Sequence, residues 1–64
     1  MAKASTALIL AVRRKRGEEN ISVAELARQT DISAWTLRHL LNEQRDNVRP
    51  STIDKLNKWL YQRI

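Results

Sequence analysis

The chain of 64 residues lacks cysteine and phenylalanine, and it has one glycine and one proline. Without cysteine there are no disulfides and no thiolate metal ligands, so packing alone must hold the fold, as suits a reducing cytoplasm. A chain this short buries only about 60% of the surface that it exposes when unfolded, which leaves little room for a deep enzyme pocket. We therefore expect a single domain over residues 1–64.

Long apolar runs are also missing. The longest one covers residues 7–12, whereas roughly 20 residues are needed to cross a bilayer. The basic cluster at residues 13–16 follows this run, while the charges of a secretory signal precede its apolar segment. We therefore expect neither a membrane span nor export.

Positive charge is what the sequence has in excess. Twelve lysines and arginines stand against seven acidic residues, which gives a formal net charge of +5. On a body this small, such an excess favours a polyanionic partner, and nucleic acid is the first candidate.

The pattern of the first 20 residues predicts one helix. Ser5 or a neighbouring residue is its expected N-cap, and Gly17 follows four basic residues as a left-handed C-cap would, so the helix should end near Arg16. A cluster of charged residues such as 13–16 usually indicates no more than a solvent-exposed side of a helix. The expected inward stripe recurs at three- and four-residue steps and consists of Ala4, Leu8, Ala11 and Val12, with Ile9 and Leu10 flanking it.

Residues 22–42 predict two short helices joined by a tight turn. Ser22 and Glu25 have the spacing of a capping box at the start of the second helix. The apolar pattern breaks at residues 30–32, and Ser33 can cap a third helix. Trp35 falls roughly opposite the leucines of that third helix. The expected inward residues are Val23, Leu26, Ala27, Ile32, Leu37, Leu40 and Leu41, with Thr30 as a further candidate.

Residues 43–49 are polar and precede a proline, so we predict a loop there and a fourth helix that starts at Pro50 and Ser51. Ser51 and Asp54 resemble a weaker capping box. Trp59 and Tyr61 lie beside the apolar stripe of this helix, where they could edge the core or form a two-fold interface. The stripe itself consists of Ile53, Leu56, Leu60 and Ile64.

The segments LARQTDIS, TLRHLLN and RPSTIDKLNKWL together resemble the helix-turn-helix domains of the λ-repressor, Cro and related bacterial and phage regulators. The resemblance covers most of the chain. It implies an all-α domain of four or five helices, with the helix-turn-helix at about residues 22–42. Asp31 stands where the family usually has glycine, and Val23 stands where many members carry a glutamine that touches DNA. The loop after Asn42 is longer than usual, and a fifth helix is absent or reduced to the last residues.

The resemblance implies that the N-terminal half of the third helix meets base edges in the major groove. The expected base-reading residues are Ala34, Trp35, Thr36, Arg38 and His39. Phosphate contacts are expected from helix N-termini and basic loops, at Ser22, Ser33, Asn42, Arg45 and Arg49. Trp59 and Tyr61 are the candidates for a dimer interface.

These expectations lead to one function and several alternatives. The leading hypothesis is a sequence-specific regulator of double-stranded DNA, a cytoplasmic repressor of phage, plasmid or mobile-element type that acts as a dimer on a pseudo-palindromic operator. The second is a protein-interaction module, such as an antitoxin or anti-regulator, that uses Trp35 and Trp59 as anchors. A membrane-surface helix built from residues 7–16 ranks low because its cations cluster at one end. No metal site, cofactor or catalytic constellation is expected.

Overall fold

The computed structural model describes residues 2–42 and 47–63, and within them the chain forms four α-helices and one short antiparallel pair of strands. In chain order the elements are β1 (Ala2–Lys3), α1 (Thr6–Glu19), α2 (Val23–Thr30), α3 (Ala34–Leu41), β2 (Asn47–Val48) and α4 (Pro50–Tyr61). The four-helix prediction is confirmed. None of the helices in the described ranges has the length and apolar character needed to cross a membrane.

Helix α1 begins as predicted but ends later. The Ser5 hydroxyl accepts a hydrogen bond from the Leu8 amide at 3.1 Å, so Ser5 is the N-cap. The predicted end near Arg16 is wrong, because the helix continues through Gly17 to Glu19. Asn20 takes the left-handed conformation instead, with φ 53° and ψ 44°.

The C-terminus of α1 is closed by a Schellman arrangement around Asn20. The Asn20 amide donates to the Gly17 carbonyl at 3.1 Å, and the Ile21 amide donates to the Arg16 carbonyl at 3.2 Å. Asparagine is the residue that best replaces glycine in this conformation. The Arg16 guanidinium also donates to the Ile21 carbonyl at 2.9 Å, which fixes the chain as it leaves the helix.

The inward face of α1 differs from the predicted stripe. Ile9, expected on the flank, is 4% exposed, and Val12 is fully buried. Leu8 and Ala11 are only partly buried, while Leu10 remains exposed.

The prediction of a loop over residues 43–49 is wrong at residues 47 and 48. Asn47 and Val48 form β2, which pairs with β1 so that Ala2 faces Val48 and Lys3 faces Asn47. Val48 is 3% exposed, and it joins the core with Ala4. A two-residue strand has no alternating pattern to reveal it, so only the approach of the N-terminal segment defines it. Residues 43–46 lie outside the described residues.

Helix α4 starts at Pro50, as predicted, but without the predicted capping box. Arg49 is the N-cap and makes no side-chain capping bond, so Ser51 already lies inside the helix. Proline suits this first position because its missing N–H would have no partner there in any case. Leu56 is fully buried, Ile53 and Leu60 pack against the core, and Ile64 lies outside the described residues.

Trp59 belongs to the core. It is 2% exposed, and its indole N–H donates to the Gln29 side-chain oxygen at 2.9 Å. The Arg63 guanidinium covers the indole at 4.3 Å from the ring centroid and reaches the Glu19 carboxylate at 2.7 Å. The indole faces α2 while Arg63 covers it, so the expectation that Trp59 lines a dimer interface is wrong, as is its use as an exposed anchor. The members of the core cluster are Ala4, Ile9, Val12, Leu26, Ile32, Leu37, Leu40, Leu41, Val48, Leu56 and Trp59.

Candidate nucleic-acid interface

A three-residue turn, residues 31–33, joins α2 to α3. Asp31 adopts the left-handed conformation at φ 59°, and its amide donates to the Ala27 carbonyl. The Ile32 amide donates to the same carbonyl at 3.3 Å, and the Ile32 side chain, 7% exposed, fills the space between the helices. Asp31 thus adopts the left-handed conformation that glycine adopts with the least strain.

The start of α3 is fixed by two hydroxyl groups. Ser33 accepts a hydrogen bond from the Thr36 amide at 3.1 Å and donates its own hydrogen to the Thr36 hydroxyl at 2.8 Å. Ser33 is therefore the N-cap of α3, as predicted. The Ser33 hydrogen is thus donated within the protein, whereas the Thr36 hydroxyl accepts it and keeps its own hydrogen as a donor.

Three leucines hold α3 against the rest of the protein. Leu37 and Leu40 are fully buried and Leu41 is 5% exposed, as predicted. Because side chains on a helix face recur at three and four residues, the side of α3 opposite these leucines must face outward. Trp35 lies on that side and is 54% exposed.

Trp35 and His39 form a stacked pair on this outer face. Their ring centroids are 4.0 Å apart and the ring planes are inclined by 28°. Nδ1 of His39 lies 2.8 Å from the backbone oxygen of Trp35. Two of the five predicted base-reading residues therefore form one surface unit, while Arg38 is exposed and Ala34 is half-buried.

A shallow groove of about 400 Å³ lies between the start of α3 and the start of α4. It brings three predicted contact residues at the start of α3, Ser33, Trp35 and Thr36, together with Arg49, which lies far from them in the sequence. Ser51 and Thr52 also line it. The groove therefore offers hydroxyls and one predicted phosphate-binding cation beside the indole.

Lys55 is a groove residue that the sequence did not reveal. Its ammonium group donates to the Asp31 carbonyl at 3.0 Å and lies 3.7 Å from the Asp31 carboxylate. The positive charge therefore sits at the carbonyl end of α2, where a cation is favourable. Because 24 residues separate the two positions, no local pattern could have indicated the contact.

The remaining predicted residues occupy separate places. Ser22 is the N-cap of α2 and accepts from the Glu25 amide at 3.0 Å. Asn42 is the C-cap of α3 and not the N-cap of a helix. Tyr61 is 74% exposed on α4. Arg45 lies outside the described residues.

Glu25 takes part in only half of the predicted capping box. Its carboxylate accepts hydrogen bonds from the Arg28 guanidinium and from the Gln29 amide, at 2.9 Å for the latter. The hydrogen bonds from Arg28 and then from Gln29 lower the Glu25 pKa to about 2. The side chain of Glu25 thus stabilises the surface of α2 by pairing along the helix.

Metal chemistry has no support in residues 2–42 and 47–63, where no group of three or more His, Cys, Asp or Glu side chains could hold a metal ion. The geometry is that of two short helices joined by a tight turn, the second of which is held outward by buried leucines. That arrangement defines a helix-turn-helix domain, the class that places a helix in the major groove of DNA.

Comparison with known families agrees with this class. The family model of the Cro/C1-type helix-turn-helix DNA-binding domain matches residues 12–61, and the chain belongs to this family. No curated protein and no solved structure gave a significant match.

Proposed function

We propose that the chain is a sequence-specific regulator that binds double-stranded DNA by inserting α3 into the major groove. The observation that carries the proposal is the orientation of α3. Its leucines are buried and its indole is exposed, so the surface available to base edges is the one that bears Trp35, Arg38 and His39. A rod of this diameter fits the major groove, where every base pair shows a distinct set of chemical groups.

Affinity would come chiefly from the phosphates. The net charge of +5 supplies the general attraction. The N-terminus of α2 at Ser22 and the cationic side of the groove at Arg49 supply the contacts that set the position of α3. In this arrangement the contacts to the DNA backbone position the domain, and α3 determines which DNA sequence is bound.

We further propose that the protein acts as a repressor of phage, plasmid or mobile-element type. It would bind a pseudo-palindromic operator as a dimer and block transcription by occlusion. Residues 1–64 would act as a single DNA-binding domain. With Trp59 in the core, Tyr61 is the remaining candidate for the two-fold contact, and its exposure supports that role.

The test is selection of bound duplexes from a random pool, followed by titration of the selected site at several salt concentrations. Selection of two half-sites related by symmetry is the expected result. Trp35→Ala should weaken the selected site by about 1–3 kcal/mol without changing binding to random duplex. Equal affinity of the unaltered protein for every duplex would refute sequence-specific binding.

Arg38 and Arg14 offer a matched pair of exposed arginines. Arg38 is on α3, whereas Arg14 lines a groove between α1 and α4. Arg38→Gln should reduce the slope of log affinity against log salt by about 1 if the side chain holds a phosphate. Arg14→Gln should reduce the slope less. An equal reduction in both variants would show that only overall charge matters.

A protein-interaction module remains the second candidate because the exposed indole of Trp35 suits a protein anchor. The two functions differ in their dependence on DNA. If Trp35 anchors a protein, capture of a partner from the native host should survive nuclease treatment and fail in the Trp35→Ala variant.

A further inference from the structure

The pair of rings on α3 has a fixed internal geometry. His39 lies one helical turn beyond Trp35, and the rings stack at a centroid separation of 4.0 Å. The hydrogen bond at 2.8 Å between the imidazole and the Trp35 backbone oxygen adds a second restraint. Stacking and hydrogen bonding together limit the rotation of the imidazole and keep its ring against the indole.

The hydrogen bond also determines the tautomer of the neutral ring. A backbone carbonyl oxygen can only accept, so Nδ1 of His39 must carry the hydrogen. Nε2 then holds a lone pair and is a hydrogen-bond acceptor. The outer face of α3 consequently presents an apolar surface, the Trp35 indole, beside an acceptor, the His39 Nε2.

We infer that Trp35 and His39 form one preassembled unit that selects a single A·T base pair in one orientation. This inference rests on the proposed function. In the major groove, an apolar side chain packs on the thymine methyl group, and an acceptor pairs with the amino group of adenine or cytosine. The indole therefore favours A·T and T·A over the G·C pairs. The acceptor favours adenine or cytosine on the strand that it faces. Only adenine on that strand, with thymine opposite, satisfies both groups.

Two substitutions separate the two contributions. The His39→Phe variant keeps the aromatic stack and lacks the acceptor, so it should bind sites with A·T or T·A at the selected position with equal affinity. The loss of one hydrogen bond corresponds to a loss of about fivefold in discrimination between the two orientations. In Trp35→Ala the apolar surface is removed, so A·T and C·G should become equivalent at the same position. Selection from a random pool measures both preferences.

The outcomes distinguish the inference from the function on which it rests. If the unaltered protein selects no sequence, sequence-specific binding fails and the paired unit fails with it. If a site is selected but the two variants change preferences at distant positions, or His39→Phe keeps the orientation preference, the paired unit alone is refuted.

A measurement on the free protein tests the geometry without DNA. His39 is the only histidine, so its ring signals in a nuclear magnetic resonance spectrum are unambiguous. Stacking on the indole should shift the imidazole protons upfield, and the ¹⁵N shifts should show the hydrogen on Nδ1. Trp35→Ala should return the protons to their ordinary positions. An unshifted ring, or a hydrogen on Nε2 in the neutral form, would overturn the inference even if His39→Phe failed to fold.

Discussion

Replacing Gly17 with alanine should stabilise the protein. Gly17 lies inside α1, its φ is not positive, and a Cβ built on it meets no atom within 4 Å. Alanine therefore adds no clash and gains the difference in helix propensity, about 0.8–1.0 kcal/mol. Part of this gain arises in the unfolded chain, because alanine has fewer conformations to lose than glycine.

The expected shift is measurable by urea and thermal denaturation followed by circular dichroism at 222 nm. For a domain of this size, about 1 kcal/mol corresponds to a rise in Tm of roughly 4–8 °C. If Gly17 occupied a left-handed C-cap, the same substitution would instead destabilise by about 1–2 kcal/mol. The sign of the change therefore decides between the two positions, and a fall in Tm for Gly17→Ala would refute the account.

Asn20 provides the control. Its φ of 53° is unfavourable for alanine, so Asn20→Ala should cost about 1 kcal/mol or more. Asn20→Gly should keep the stability or raise it slightly, because glycine adopts this conformation without strain. Similar losses in both Asn20 variants would show that the side chain, and not the backbone conformation, is what matters.

Two further perturbations address the core and the acid range. Trp59→Ala should cost about 3–5 kcal/mol, a large share of the stability of so small a domain, and the variant should be largely unfolded by circular dichroism. A folded Trp59→Ala variant with an unchanged Tm would contradict the burial of the indole. The Glu25 pKa is lowered from 4.5 to about 2, so its contribution to stability is fully present above pH 4.5 and is lost as the pH falls towards 2. As the pH falls between these two values, the free energy of unfolding of the Glu25→Gln variant should decrease less than that of the unaltered protein. Equal decreases in both proteins would exclude a native-state role for the Glu25 carboxylate.

The location of the candidate site could be predicted because its determinants are local. The spacing of Leu37, Leu40 and Leu41 fixes which side of α3 is buried, and this leaves Trp35 on the outer side. The serine caps of α2 and α3 act on amides three residues away, so they too are readable from the sequence. The family resemblance depends on the same short-range pattern, and the family match confirms it.

Other features could not be predicted because competing local patterns were equally good. Gly17 and Asn20 can both take the left-handed conformation, and the hydrogen bond from Ile21 to Arg16 shows that the chain reverses at the later one. Ser51 has the spacing of a cap, but Pro50 already fits the first turn of α4. In each case two neighbouring residues both suit the end of a helix, and the local pattern does not rank them.

The sequence by itself determined the helices, most of their buried faces and the outward position of Trp35, because these follow from hydrogen bonds and spacings within one or two helical turns. Only the tertiary structure decided the pairing of β1 with β2, the burial of Trp59 against Gln29 and the groove that joins Arg49 to Trp35. Those contacts join residues more than ten positions apart. They form only when the packed core brings separate helices together, and no local periodicity encodes which of the possible long-range partners will meet.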